Sequence, residues 1–152
     1  MDILYDILLI LHVAAAIVGI GPAFVFPIVG KSAKTGSQLR FVFSLLQKIN
    51  KFPKTGGITL IVTGILLMVI GKTGLSLLWL NLSLLLFIVI EVIIIGFVEP
   101  GMKKVGQLVA ASEGEEIPAG YTALTGKIAP LEATVLVLTL IIVVLMVIKP
   151  TM

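Results

Sequence analysis

At 152 residues the chain has the length of one ordinary soluble domain, but 59% of its residues are hydrophobic and only 12% are charged. A soluble domain is about half apolar and about a quarter charged, and a chain of this size has too little interior to bury the excess. The composition therefore excludes an ordinary soluble fold and indicates that apolar surface faces lipid. Because the chain has no cysteine, it forms neither disulfides nor thiolate metal sites.

Four segments are long and apolar enough to cross a membrane, which takes about 20 residues of helix. They are predicted at residues 3–29, 53–70, 75–98 and 128–148. The first begins with acidic residues, Asp2 and Asp6, rather than the basic start of a cleavable signal, and we interpret it as a retained helix. Strands of a membrane barrel would alternate polar and apolar side chains, whereas these segments are apolar on every side. The predicted fold class is an all-α membrane protein, a four-transmembrane-helix bundle that forms one domain over residues 1–152.

The basic residues are gathered on one side of the predicted bundle. Nine of the eleven lie in or beside the first and third connections: Lys31, Lys34, Arg40, Lys48, Lys51, Lys54, Lys103, Lys104 and Lys127. Only Lys72 and Lys149 lie on the other side. Because basic loops stay in the cytoplasm, we expect a multi-pass protein of the cell membrane with both termini outside and residues 30–52 and 99–127 in the cytoplasm. A short outer turn, residues 71–74, is expected between spans two and three.

The first connection is predicted to form an amphipathic helix. Its apolar residues recur at helical spacing: Leu39, Val42, Phe43, Leu46 and Ile49. Such a helix either lies in the cytoplasmic interface or extends span two. Its basic residues either anchor it to anionic lipid or recruit a partner, and because headgroups account for them, no nucleic-acid binding is expected.

The third connection is expected to begin at residues 99–101, Glu-Pro-Gly, because proline cannot continue the helical hydrogen-bond ladder and glycine permits a turn. A short helix is expected over residues 102–112. Three acidic residues, predicted to lie in a solvated loop, follow: Glu113, Glu115 and Glu116. Pro130 and Glu132 are expected in the first turn of span four, where proline and a negative charge are both favoured.

Two ionisable residues lie well inside the predicted spans, away from their ends, where each is costly and suggests a function. His12, the chain's single histidine, lies in the outer half of span one. Its imidazole is a candidate ligand for haem or a metal ion, with a hydrogen-bonded structural histidine as the alternative. Glu91, in the inner half of span three, is a candidate proton relay or a protonated structural residue. Span two contains Thr59, Thr63 and Gly64, which we interpret as small residues that let helices approach.

Haem is the cofactor that the sequence allows us to test against geometry. One histidine excludes ligation by two histidines of the same chain. Met68 and Met146 are the candidate second ligands on the outer side, but both lie roughly 10 Å shallower than His12 by helix rise. A five-coordinate haem, or a haem shared between two chains, therefore remains open.

Two short motifs resemble known membrane families. Leu11-His12-Val13 and the end of span four, residues 145–150 (Leu-Met-Val-Ile-Lys-Pro), resemble a family of predicted integral membrane proteins of unknown function. The first motif is also similar to the copper-resistance protein D and membrane protoporphyrinogen-oxidase group, and this resemblance implies haem or metal at a first-helix histidine. That group carries Trp-Leu-His-x-Lys at the third span, where this chain has residues 79–83, Trp-Leu-Asn-Leu-Ser. Only His12 and Trp79 carry over, so porphyrinogen oxidation is not expected.

Three functions are consistent with this sequence. The first is a small binding module for haem, a metal ion or an apolar ligand near His12. The second is a structural or accessory subunit without a cofactor, and the third is an oligomeric transporter or proton pathway that uses Glu91. The sequence favours a protein that is not an enzyme, since it shows no serine–histidine–acid arrangement, phosphate loop or metal-ligand cluster. Expected partners are the lipid bilayer and either a second copy of the chain or another membrane protein.

Overall fold

The computed structural model describes residues 3–73 and 75–150, which are helical without strands. The helices are α1 (Ile3–Ser32), α2 (Gly36–Ile49), α3 (Lys51–Ile70), α4 (Leu78–Ile93), α5 (Glu99–Ala110) and α6 (Tyr121–Ile148), and a π-helical turn at Ile94–Val98 joins α4 to α5. Four stretches are long and apolar enough to cross a membrane: α1, α2 with α3, α4 with α5, and α6. The predicted all-α, four-span class is confirmed.

The helices α1 and α3 form an antiparallel pair with a constant register. Tyr5 lies beside Gly71, His12 beside Thr63, and Gly19 against Gly56. Steps of seven residues along α1 match steps of seven or eight along α3, so the same stripe of α1 faces α3 throughout. The closest approach is at the two glycines, where a Cβ atom on Gly56 would lie 2.5 Å from the Gly19 Cα. Small residues allow such contact between membrane helices.

The second antiparallel pair consists of α6 and the continuous helix α4–α5. Near one end, a Cβ atom on Gly101 would lie 2.8 Å from the Ile128 side chain. Near the other end, the Lys149 ammonium group lies 5.6 Å from the centre of the Trp79 ring. These contacts show that α6 returns along the whole length of α4–α5.

The best-packed part of the described chain lies at the end that carries most of the basic residues, called the basic end below. Five buried side chains of α2, α5 and α6 form its core: Leu39, Phe43, Val105, Val109 and Ile128. The Phe43 and Tyr121 rings meet edge to face at 6.5 Å. The predicted amphipathic helix is therefore α2, and it packs its apolar face on protein, while Phe41 on the other face is exposed.

The two helix pairs approach each other mainly at this end. Apart from α2, the only backbone contact between the helices of the two pairs is a small one of α1 with α6, and no Cα atom of α3 lies within 8 Å of α4 in the described residues. An exposed ion pair between Lys54 and Glu99, 3.1 Å long, crosses from α3 to α5 at the basic end. The pairs are thus joined chiefly by the core of the basic end.

The expectation that the helix of the third span ends at residues 99–101 is wrong. The helix continues through Pro100 into α5, with the π-helical turn Ile94–Val98 immediately before it. A proline ring clashes with the carbonyl group four residues earlier, here that of Gly96, and a π-helical turn changes the backbone at that point. The expected helix at 102–112 exists, but as part of α5 (Glu99–Ala110), which continues the same helix.

The expected position of Pro130 and Glu132 at a helix start is also wrong. The helix α6 begins at Tyr121, so both residues lie in its interior. Two contacts hold the additional turns in place, the Tyr121 ring on Phe43 and Ile128 against Gly101. Because of this tertiary packing, the helix begins earlier in the chain than the proline predicted.

The expected turn between spans two and three is present at Gly71–Thr73, and Gly74 lies outside the described residues. Lys72 has a φ of 49° in the left-handed region. The backbone N–H of Thr73 donates to the Met68 carbonyl oxygen at 3.2 Å. The following helix begins at Leu78, three residues later than the expected start of span three.

The loop of residues 111–120 is anchored on the first turn of α2 rather than free in solvent. The Ser37 hydroxyl donates to the Glu115 carboxylate at 2.8 Å, and the Gly36 N–H donates to the Glu115 carbonyl oxygen at 2.7 Å. The Arg40 guanidinium donates to the carbonyl oxygens of Ser112 and Gly114 at 3.3 and 3.1 Å. The glutamate side chains are nevertheless exposed, as the sequence predicted.

We expect the loop anchor to weaken in acid. The hydrogen bond from Ser37 lowers the pKa of Glu115, so the carboxylate stabilises the folded loop above its unfolded pKa and the effect is lost as the pH falls through its folded pKa. Because Glu115 is exposed, the effect is small and local. Amide hydrogen exchange of Gly36, corrected for its intrinsic pH dependence, should accelerate in acid.

The Glu115→Gln variant should lose this acid dependence, and the matched Glu113→Gln variant should keep it. Glu113 lies two residues away in the same exposed loop and accepts no side-chain hydrogen bond among the described residues. An unchanged acid response in Glu115→Gln would show that another group controls the loop.

Candidate functional site

His12 lies in the contact between α1 and α3. Leu8 and Ala15, one turn before and after it, are buried on the same stripe of α1. The His12 Nδ1 atom lies 2.8 Å from the Thr63 hydroxyl oxygen. Its ring passes close to Gly64, where an added Cβ atom would lie 3.4 Å from the imidazole Cε1. The half-buried imidazole is therefore held in place by α3.

The hydrogen bonds of Thr63 assign the tautomer of the histidine. The Thr63 hydroxyl oxygen lies 2.7 Å from the Thr59 carbonyl oxygen, to which it donates its single proton. With its proton donated there, the hydroxyl oxygen is the hydrogen-bond acceptor for the Nδ1–H of His12. This direction assigns the ring proton to Nδ1, and the Nε2 lone pair accepts no hydrogen bond from the residues that the structure describes.

A neutral imidazole in this state can bind a metal ion or accept a hydrogen bond through Nε2. Histidines that bind metals commonly donate their other ring N–H to a fixed acceptor, which sets the ring orientation and the tautomer. Thr63, itself only 5% exposed, provides such an acceptor for His12. The arrangement is thus suited to ligation by a single nitrogen.

The sequence prediction identified His12 but not its partner. We interpreted Thr63 and Gly64 as packing residues, and that holds for Gly64, which makes room for the ring. Thr63 has the additional role of hydrogen-bond acceptor. The sequence indicates this role only by placing a threonine in an apolar segment. The partner can be identified only once the α1–α3 register shows that Thr63 lies beside His12.

The role of Met68 and Met146 as second haem ligands remains a prediction. Met68 is five residues after Thr63, about 7.5 Å farther along α3 by helix rise. Met146 lies on α6, in the other helix pair. In residues 3–73 and 75–150 no three His, Cys, Asp or Glu side chains form a group that could hold a metal ion. An ion at His12 would therefore take its other ligands from a different source, such as a porphyrin.

Glu91 lies apart from this site. It belongs to α4, and no Cα atom of α4 approaches α1 within 8 Å in the described part of the chain. Its side chain borders an open apolar groove of about 400 Å³. The groove is lined by Phe87, Ile88, Glu91, Val92, Ile95 and Gly96. The two ionisable residues that the sequence singled out thus belong to two separate places in the fold.

The fold and the site together define a small four-span membrane protein with one oriented histidine between its first two spans. The family model described as "Predicted integral membrane protein (DUF2269)" matches residues 6–150. The chain belongs to this family. No curated protein and no solved structure matches the chain.

Proposed function

We propose that this protein is a small membrane binding module in which His12 presents its Nε2 atom to haem. The observation that carries the proposal is the 2.8 Å contact between His12 Nδ1 and the Thr63 hydroxyl oxygen, which holds the ring in place. Because the Thr63 hydroxyl donates to the Thr59 carbonyl oxygen at 2.7 Å, we infer that the ring proton lies on Nδ1. The neighbouring residues Leu11 and Val13 are apolar and about half exposed, and such a surface suits a flat apolar cofactor. A bound haem would supply an iron with an open coordination position, and His12 would hold it.

Further support comes from the residues that hold the His12 ring in a fixed position. Thr63 is held by its own bond to the Thr59 carbonyl group, so the acceptor cannot rotate freely. The buried residues Leu8 and Ala15 fix α1 one turn above and below. A fixed ligand loses less entropy on binding than a mobile one. Because each chain has one histidine, the proposal predicts either a five-coordinate haem or one haem shared by two chains.

Titration of the purified protein with haem in mild detergent tests the proposal. We expect a saturable change in the Soret band, at one haem per chain or per two chains, and no such change in His12→Ala. Thr63→Val removes the acceptor at nearly constant volume and should weaken binding about tenfold, as loss of an orienting partner does.

Thr59→Val is the matched control for Thr63→Val. It lies one turn away on the same helix, and its hydroxyl bonds only to the Thr55 carbonyl group. The Thr59 carbonyl group that fixes Thr63 is retained in this variant. Equal haem binding by wild type and His12→Ala would rule out the proposed site.

The second candidate function is an accessory subunit without a cofactor. It is favoured by α6, because none of the residues in the most apolar window of that helix is buried within the chain. Such a surface is available to a partner protein in the membrane. This function would be preferred if His12→Ala left every bound species, the oligomeric state and the folding of the protein unchanged.

We also propose that the protein lies in the cell membrane with both termini outside and the basic end in the cytoplasm. The support is the charge distribution, since nine of the eleven lysine and arginine residues lie on α2 and α5, in the loop before α2, or on the adjoining ends of α1, α3 and α6. Because the chain has no cysteine, a single cysteine introduced at Lys34 can be labelled selectively. A membrane-impermeant thiol reagent should not label it in intact cells, and labelling there would reverse the orientation.

A further inference from the structure

Glu91 places a carboxyl group on an exposed apolar surface of α4. Among the described residues, the side chain of Glu91 forms no ion pair, and the single ion pair of this part of the chain joins Lys54 to Glu99 at the basic end. Its neighbours in the groove are apolar and exposed, with Ile88, Val92 and Ile95 each about 60% exposed. The carboxyl group therefore lies on a surface whose other side chains are suited to contact with lipid acyl chains.

A carboxyl group in this position needs a hydrogen-bond partner. Acidic residues in membrane spans almost always face a protein interior or pair with another group, because hydrocarbon offers neither donors nor acceptors. Acyl chains could cover Ile88 and Val92, but they could not satisfy Glu91. The groove is thus better suited to a protein surface than to lipid.

A second observation on the same groove points the same way. A Cβ atom on Gly96 would meet no other atom within 4 Å, so the packing of this chain does not require glycine there. Glycine in a membrane helix allows the backbone of a neighbouring helix to approach closely. The open glycine lies five residues from Glu91 and lines the same groove.

We propose that two copies of this chain associate through the Glu91 surface of α4, with the two Glu91 side chains hydrogen-bonded to each other as neutral carboxyl groups. A neutral carboxyl group has one donor and one good acceptor, so two copies related by a twofold axis satisfy each other completely. A twofold interface places the same surface patch on both subunits, as this pairing requires. Gly96 would let the helices approach beside the pair. The dimer does not depend on haem binding at His12.

Disulfide formation between single cysteines tests this dimer, since the natural chain contains no cysteine. Ile95→Cys places a thiol one turn from Glu91 on the same surface. Ile58→Cys is the matched control, because Ile58 is 64% exposed on α3. Lys54 and Glu99 form an ion pair and so lie at the same depth. Ile58 is four residues from Lys54, and Ile95 is four residues from Glu99. Both thiols should therefore lie at a similar depth. In proteoliposomes under mild oxidation, we expect covalent dimers from Ile95→Cys and none from Ile58→Cys.

Substitutions at Glu91 in the Ile95→Cys background test the role of the carboxyl pair. Glu91→Gln keeps a donor and an acceptor and should preserve the crosslink. Glu91→Leu should lower the fraction of dimer about tenfold at equal protein density, since interhelical hydrogen bonds in membranes each contribute modestly. Circular dichroism of each variant checks that its helices are retained.

Three results would overturn the proposal. The first is equal crosslinking of Ile95→Cys and Ile58→Cys, which would indicate random collision. The second is crosslinking at Ile58 alone, which would assign the interface to α3. The third is a helical Ile95→Cys protein that stays monomeric in the bilayer, and in that case lipid or a different protein covers the groove.

Discussion

An alanine at Gly56 is expected to destabilise the protein by about 1–3 kcal/mol, the usual cost of inserting a methyl group into a full contact. The added Cβ atom would lie 2.5 and 2.6 Å from the Gly19 Cα and N atoms and 2.9 Å from the Ala15 carbonyl oxygen. These are backbone atoms that no side-chain rotation can move. The helices α1 and α3 must then separate, and His12 and Thr63 should lose their hydrogen bond. Thermal unfolding in detergent and haem affinity should both report the change.

Gly57→Ala is the control, and its expected effect has the opposite sign. A Cβ atom on Gly57 would meet nothing within 4 Å. Since alanine is favoured over glycine in a helix by about 1 kcal/mol, this variant should be neutral or slightly stabilised. Similar losses of stability in the two variants would mean that the α1–α3 contact is not as close as described.

The second large effect is expected in the core of the basic end. Leu39→Ala should lower the free energy of unfolding by about 2–5 kcal/mol, as removal of a fully buried leucine side chain does. Leu39 is only 1% exposed and packs with Phe43, Val105 and Val109 between α2 and α5. Because this core joins the two helix pairs, we expect them to move apart before the individual helices unfold.

Phe41→Ala is the matched control for that core. It removes a larger side chain from the same helix, but Phe41 is 68% exposed. Its effect on chemical or thermal unfolding should stay within about 0.5 kcal/mol, as for other surface positions. If Phe41→Ala cost as much as Leu39→Ala, the exposed face of α2 would have to be bound to another surface.

Span length and hydrophobicity made the four helices predictable, because a bilayer requires both. The helix ends were less predictable. Pro100 and Pro130 suggested an end and a start, yet α5 and α6 continue through them. Local proline chemistry was outweighed at Pro100 by a π-helical turn and at Pro130 by packing of the preceding turns on α2 and α5. Neither effect is visible in a hydropathy pattern.

The site was predictable only in part. The rarity of ionisable residues in the spans identified His12 and Glu91, since either would be costly without a role. Their surroundings depended on the register between helices, which Gly19 and Gly56 set on one side of the molecule. The sequence alone could therefore not pair His12 with Thr63, nor assign the two ionisable residues to different helix pairs.

Nitrogen-15 NMR of protein labelled at histidine tests the central claim most directly. The chain contains a single histidine, so the spectrum should show one pair of ring nitrogen signals without further assignment. We predict a protonated Nδ1 and an unprotonated Nε2 in the free protein, and a change centred on the Nε2 signal when haem is added. A proton on Nε2 in the free protein, or ring signals that haem leaves unchanged, would contradict the proposal that Thr63 orients His12 as a ligand.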